Sequence, residues 1–198
     1  MGLFKSTDLG HEEPKETAEM QVVNTEHSVF FRGHSLEALS NSLQLPLQPN
    51  TIYNYVSRGD WSQWELVNYL LSYLSPAELI FTTWSISELS ARKIVEWIDK
   101  GIVTSVSALV DFRAKNRHES AYHLARNHIS NFKVAACHAK ITVLKSPVHG
   151  YVTIIGSANW TENPRIESGV IITDEVTGKN NQDWILNTIE KGKYDIFE

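Results

Sequence analysis

The sequence is short of several things, and each shortage narrows what it can be. One cysteine, Cys137, stands among 198 residues. No disulfide can form within the chain, and no cysteine cage can hold zinc. A reducing compartment fits this, and cytoplasmic placement is expected. No apolar run reaches the roughly 18 residues that a membrane span requires. The N-terminus is polar from Lys5 onward, without the apolar stretch of a signal peptide. Met1-Gly2-Leu3-Phe4-Lys5-Ser6 does fit the N-myristoylation pattern. A pattern that short arises readily by chance, and a membrane is not expected as a partner. No internal repeat is visible.

What is present is a globular chain. The hydrophobic fraction is 42% with six tryptophans, enough for one domain with a sizeable core. Residues 1–28 carry two lysines against six acidic residues, with Pro14 among them. They read as a flexible acidic arm, leaving 29–198 as the folded domain. The net charge of −5 would argue against a polyanionic partner, but it is unevenly spread. Residues 85–145 hold ten Lys and Arg against five Asp and Glu. A local basic field can attract phosphate even on an acidic protein. Ordinary solvated helix faces would produce the same count.

Leucines at 36, 39 and 43 have a helical spacing, ended by Pro46 and Pro49. Thr51–Ser57 alternates as a strand does, and Arg58-Gly59-Asp60 reads as a turn. Ser62-Gln63-Trp64-Glu65 is a capping box opening a helix with Val67, Leu70, Leu71 and Leu74 on one face. Strands are expected over 78–84, 102–112, 132–137, 139–144, 151–155 and 167–173. A helix opened by a second capping box at Ser85–Glu88 runs to Gly101. Further helices are expected over 116–129 and 181–191. This order predicts an α/β fold, a mixed sheet with helices on both faces.

Two short elements carry the chemistry. His138-Ala139-Lys140 is followed, 15 residues on, by Gly156-Ser157-Ala158-Asn159-Trp160-Thr161. A period of two puts His138 and Lys140 on one face, and Ser157 and Asn159 likewise. The turn Ser146–Gly150 makes the two strands neighbours, so four side chains can converge. Lys140 offers a fixed positive charge to phosphoryl oxygens. Ser157 and Asn159 offer neutral donors, and Gly156 allows close backbone approach. His138 is left as nucleophile or general base. No acidic cluster nearby suits Mg²⁺ or Ca²⁺, so no metal and no other cofactor is expected. Gly-Ser-x-Asn alone occurs at roughly one position in several thousand. The two elements in this order are far more specific than either one.

On these residues the chain resembles the phospholipase D superfamily, whose signature is His-x-Lys, four residues, Asp, and then Gly-Ser-x-Asn. The resemblance covers His138, Lys140, Gly156, Ser157, Asn159 and the Trp160-Thr161 extension. It implies a two-step mechanism through phosphohistidine, with an acid after the asparagine orienting the histidine. Glu167 is the candidate and Glu162 the runner-up. The family's aspartate falls at Lys145, which would add a positive charge near the hairpin. With a single motif present, the resemblance further implies a homodimer whose two halves meet at a two-fold axis. His118, His123 and His128 are read as surface or supporting residues, and Cys137 as facing away from the site. The expected function is a metal-independent phosphodiesterase, a nuclease on DNA or RNA. A phospholipid-processing enzyme and a nucleic-acid-binding module of the same fold are the alternatives.

Overall fold

The computed structural model describes residues 27–33, 39–40, 43–57, 59, 61–162 and 165–191. The arm expected over 1–28 lies outside the described residues, apart from His27 and Ser28, which open the first strand. Most of the leucine helix expected over 35–43 lies outside them too. Leu39 and Leu43 are described; both are buried, and Leu43 N donates to Leu39 O at 2.8 Å.

One mixed sheet organises the rest. Its strands are β1 (His27–Gly33), β2 (Thr51–Ser57), β3 (Ala77–Thr83), β4 (Val103–Asp111), β5 (Asn131–Ala135), β6 (Ile141–Ser146), β7 (Gly150–Gly156) and β8 (Glu167–Ile172). The spatial order is β1-β2-β8-β7-β6-β3-β4-β5. β3, β4 and β5 run parallel, β6 is antiparallel to β3, and β7 and β8 continue antiparallel. β8 pairs with β2 on its other side, and β1 runs parallel to β2.

The parallel strands read as continuous apolar runs because helices cover both of their faces. Along β3, Leu79 and Phe81 enter one core while Ile80 enters another. Along β4, Ala108 and Val110 take the first side and Leu109 the second. The larger core lies under α1 (Gln63–Leu74), α2 (Glu88–Asp99) and α4 (Glu119–His128). The smaller packs Ile80, Leu109 and Val143 beneath Ile185 and Ile189 of α5 (Glu175–Lys191). The sheet with helices on both faces is therefore the architecture expected.

Three helix boundaries depart from expectation, each for a local reason. The cap of α2 is Ser87, whose hydroxyl accepts from Ser90 N at 3.2 Å, not Ser85. Ile86 forms a bridge with Trp160, and Ser87 N donates to Trp160 O at 2.8 Å. That pairing keeps the chain extended past Ser85. The helix expected over 116–129 is two helices, α3 (Ala114–Arg117) and α4, divided at His118 with φ −144° and ψ 73°. The break lets Ala114 and the Ala121-Tyr122-Ala125 face both turn inward. α5 begins six residues earlier than expected, at Glu175. The Asp174 carboxylate accepts Thr177 N at 2.6 Å and starts the helix there. Gly178, a poor helix former, lies in the first turn. A Cβ at Gly178 would collide with the Tyr151 side chain, so close packing on β7 is what requires the glycine.

Candidate active site

The two motif elements meet at one end of the sheet. β3, β4 and β5 end there, β6 begins there, β7 ends there and β8 begins there. In open α/β sheets, the carboxyl ends of parallel strands are where ligands bind. His138 and Lys140 occupy the segment between β5 and β6, just ahead of the strand in which they were expected. Gly156 N donates to Lys140 O at 3.2 Å, which ties the first element to the second.

Buried acid fixes the His138 segment. Asp111, fully buried at the end of β4, accepts Cys137 N at 3.1 Å. It also accepts Arg113 N at 3.0 Å and Arg113 Nε at 2.8 Å. Burial alone would push the Asp111 carboxyl up, but the bonds from Arg113 and Cys137 outweigh it and hold the group below its ordinary value. Cys137 itself packs in the smaller core with Ile80 and Val143, and its thiol lies within electrostatic range of Lys140. His138, the next residue, is exposed.

Lys140 is half-buried. Its Nζ donates to His138 O at 2.9 Å and lies 3.5 Å from His138 Nδ1. Desolvation pushes its pKa down, with Glu167 and Asp111 among the groups opposing that shift. Lys145 is a different case. It stands opposite Glu78 in the β3–β6 register and bonds its carboxylate at 2.9 Å. The extra positive charge expected near the hairpin is therefore matched by an acid.

The Gly156–Asn159 element is pinned by its neighbours. Asn159 Oδ1 accepts the backbone N–H of Trp84 at 3.2 Å. Because an N–H can only donate, this bond decides which end of the amide is oxygen. The Nδ2 group is left without a hydrogen-bond partner among the described residues. Trp160, the following residue, is fully buried with its ring 4.5 Å from Phe81 and 6.3 Å from Trp97. Burying a side chain of this size stabilises by about 1.5–3 kcal/mol, so the loop carrying Asn159 is anchored in the larger core.

Ser157 is arranged otherwise than a phosphate donor would be. Its hydroxyl proton is directed at the Glu167 carboxylate, and its oxygen accepts Ser168 N at 3.0 Å. Donation from Ser157 to a phosphoryl oxygen would require the Glu167 bond to be given up. Glu167, at the start of β8, thus stands beside Ser157 and within electrostatic range of Lys140. Glu162 is exposed. Below Glu167, Tyr55 reaches across to the Gly156–Gly169 pair. A Cβ on Gly156 would lie 2.7 Å from the Tyr55 hydroxyl, and one on Gly169 2.6 Å from it. Burial first, then the Glu167 charge, pushes the Tyr55 phenol far above its ordinary value, so it stays a neutral hydroxyl.

Trp84, Thr83, Tyr55 and Asp111 escaped the sequence reading. Each is distant along the chain from the motif it touches, and only strand order brings them in. His118, His123 and His128 are exposed on or beside α4, as expected for surface residues. The basic count over 85–145 is partly an ordinary helix face. On α2, Arg92 pairs with Glu88, and Lys93 and Lys100 pair with Glu96. Among the described residues, no group of three or more His, Cys, Asp or Glu side chains could hold a metal ion. None of the described helices is long and apolar enough to cross a membrane.

No family model matches the sequence, and no curated protein matches it in sequence either. Solved structures do match in fold. Polyphosphate kinase from Porphyromonas gingivalis aligns with 74% of this chain at 15% identity and a TM-score of 0.52, over 27% of its own length. Nuc from Salmonella typhimurium, described as a phospholipase D family member, aligns with 69% of this chain and 91% of its own, at 14% identity and a TM-score of 0.49. A yeast tyrosyl-DNA phosphodiesterase aligns with 59% of this chain and 28% of its own, at 8% identity and a TM-score of 0.37. At such identities the likeness is one of fold. The chain thus shares a mixed α/β fold with part of that polyphosphate kinase, and it brings its His-x-Lys and Gly-Ser-x-Asn elements to one end of the sheet.

Proposed function

We propose that the chain is a metal-independent phosphodiesterase acting on nucleic acid, and that one chain holds half of the site. The observation that carries this is the presentation of three groups together. The Asn159 amide is locked with Nδ2 unpartnered, while Lys140 and exposed His138 stand at the same end of the sheet. That set supplies a cation, a neutral donor and a nucleophile, which suffices for phosphoryl transfer without a metal.

In the proposed reaction, the unprotonated ring nitrogen of His138 attacks phosphorus. A nitrogen–phosphorus bond forms, and the bond to the leaving oxygen breaks. Lys140 and Asn159 take the charge on the nonbridging oxygens. The phosphate draws the Lys140 ammonium from His138 towards itself. A second histidine, His138 of another copy, protonates the leaving oxygen. It then removes a proton from water, which attacks phosphorus and frees His138. Glu167 keeps Ser157 and the start of β8 in place and helps to keep Lys140 charged.

The test offers purified protein in EDTA single- and double-stranded DNA, RNA, bis(p-nitrophenyl) phosphate and phospholipid vesicles, beside His138→Ala. Cleavage of nucleic acid and of the small diester, lost in the variant, is the expected result. Equal rates in both proteins would sink the reading. Cleavage confined to vesicles would move the substrate to lipid. A strictly monomeric species with full activity would overturn the shared site. The commitment of the Ser157 proton to Glu167 favours one other reading, a binding module. Tight nucleic-acid binding by both proteins with no cleavage by either would establish that.

A further inference from the structure

Beside His138 stands a stack that the reaction above does not use. Arg117, at the end of α3, lays its guanidinium carbon 3.6 Å from the centre of the Trp84 ring. The same indole lies 5.6 Å from the His138 imidazole, centre to centre. The guanidinium is therefore within about 9 Å of the imidazole. Arg117 is exposed, and neither it nor exposed Lys115 has an acidic partner among the described residues. Arg113, also 5.4 Å from the Trp84 ring, is occupied, since Asp111 takes its Nε and backbone N–H. Arg113 precedes α3, which carries Arg117, and of these two arginines over the indole Arg117 is the one without an acidic partner among the described residues.

The geometry points to the Trp84–Arg117 stack as a platform for the nucleotide next to the scissile phosphate of a single-stranded nucleic acid; this rests on the reading of the site as a nucleic-acid phosphodiesterase. A planar guanidinium resting on an indole offers its outer face to a base and its edge N–H groups to a phosphate. The indole N–H of Trp84 is buried and has no hydrogen-bond partner among the described residues, so the ring contributes a face and no readout of base edges. Stacking of that kind accepts any base, but only when the base is unpaired. The platform therefore selects strandedness and leaves sequence unread. Its nearness to His138 sets the neighbouring nucleotide of the same strand on it while the scissile phosphate lies against Lys140.

Binding of a fluorescent oligothymidylate and of a hairpin duplex to the full chain tests this, in a His138→Ala background so that turnover does not interfere. Arg117→Ala and Arg117→Lys are compared, with circular dichroism melts to confirm folding. Loss of one stacked base weakens single-strand binding about tenfold or more. Arg117→Ala should show that loss, with a smaller loss on duplex, and Arg117→Lys should recover less than half of it on a logarithmic scale. Full recovery by lysine would reduce the platform to a point charge and overturn it, as would equal losses on duplex and single strand. Rates on bis(p-nitrophenyl) phosphate with His138 intact separate the two claims. Cleavage of the small diester with single-strand binding indifferent to Arg117 sinks the platform and leaves the phosphodiesterase. Single-strand binding that depends on Arg117 with no cleavage of any diester sinks the phosphodiesterase and leaves the platform.

Discussion

Two lysines sit near opposite ends of β6, Lys140 just ahead of the strand and Lys145 within it, and they live in opposite circumstances. Lys145 faces Glu78 across the β3–β6 ladder, and the hydrogen bond from its ammonium to that carboxylate raises its pKa. Lys140, at the other end, donates a hydrogen bond to a backbone carbonyl, and desolvation lowers its pKa. One cation is satisfied by a partner of opposite charge. The other is held close to a histidine, with an opposite charge near but not bonded to it. A lysine in the second state gains most from an incoming anion. Closeness to one strand thus says little about role; the partner decides it.

The largest expected effect breaks the comparison outright. Lys140→Met should lower the hydrolysis rate on a small diester by about 10²–10³-fold, the usual consequence of losing one charge-stabilising donor. Lys145→Met should leave that rate in place. Equal losses would show that β6 supports the site only as a scaffold. Next comes the strand that carries Glu167. Gly169→Ala places a Cβ 2.6 Å from Ile155 O and from the Tyr55 hydroxyl, so backbone must move. A destabilisation of about 1–3 kcal/mol is expected in denaturant melts; an unchanged midpoint would disprove the close approach.

Asp111 sharpens the comparison from the acid side. Its carboxyl is held low in the folded state, so its contribution is present above the unfolded value and is lost as pH falls through the folded one. Asp111→Asn should cost about 1–3 kcal/mol at neutral pH and flatten the acid limb of the stability curve. An acid limb identical to that of the parent protein would remove Asp111 from that account. At alkaline pH the two lysines should separate. Lys140 should lose its proton at lower pH than an ordinary lysine, and Lys145 at higher pH, as ¹⁵N-detected ammonium titration would read. The reverse order would refute the contrast. The smallest effect is thermodynamic: Lys145→Met breaks a partly exposed pair and should shift stability by no more than about 1 kcal/mol.

The layout of the sheet was legible because β3, β4, β6 and β7 carry apolar runs bounded by turn residues, as in Ser146–Gly150. The two motif elements were legible because their residue types are local and their spacing is rare. The supports were not. Asp111 and Cys137 are 26 residues apart, and Trp84 and Asn159 are 75 apart. No periodicity links such pairs, because each contact exists only once β3, β4 and β7 have taken their places. The late cap at Ser87 was hidden for the same reason, since the Ile86–Trp160 bridge that delays it is a contact between distant segments. Gly178 shows a local preference giving way to packing. Its poor helix propensity was real, and packing on Tyr151 overrode it.

The bond that aims Asn159 comes from the main chain of residue 84, and every residue except proline owns that N–H. The side chain at 84 is thereby released from aiming the amide. Substrate preference can be rewritten at that position without disturbing the amide. A library of substitutions at 84 would in that case sort variants by what they accept, with the Asn159 amide still held in place.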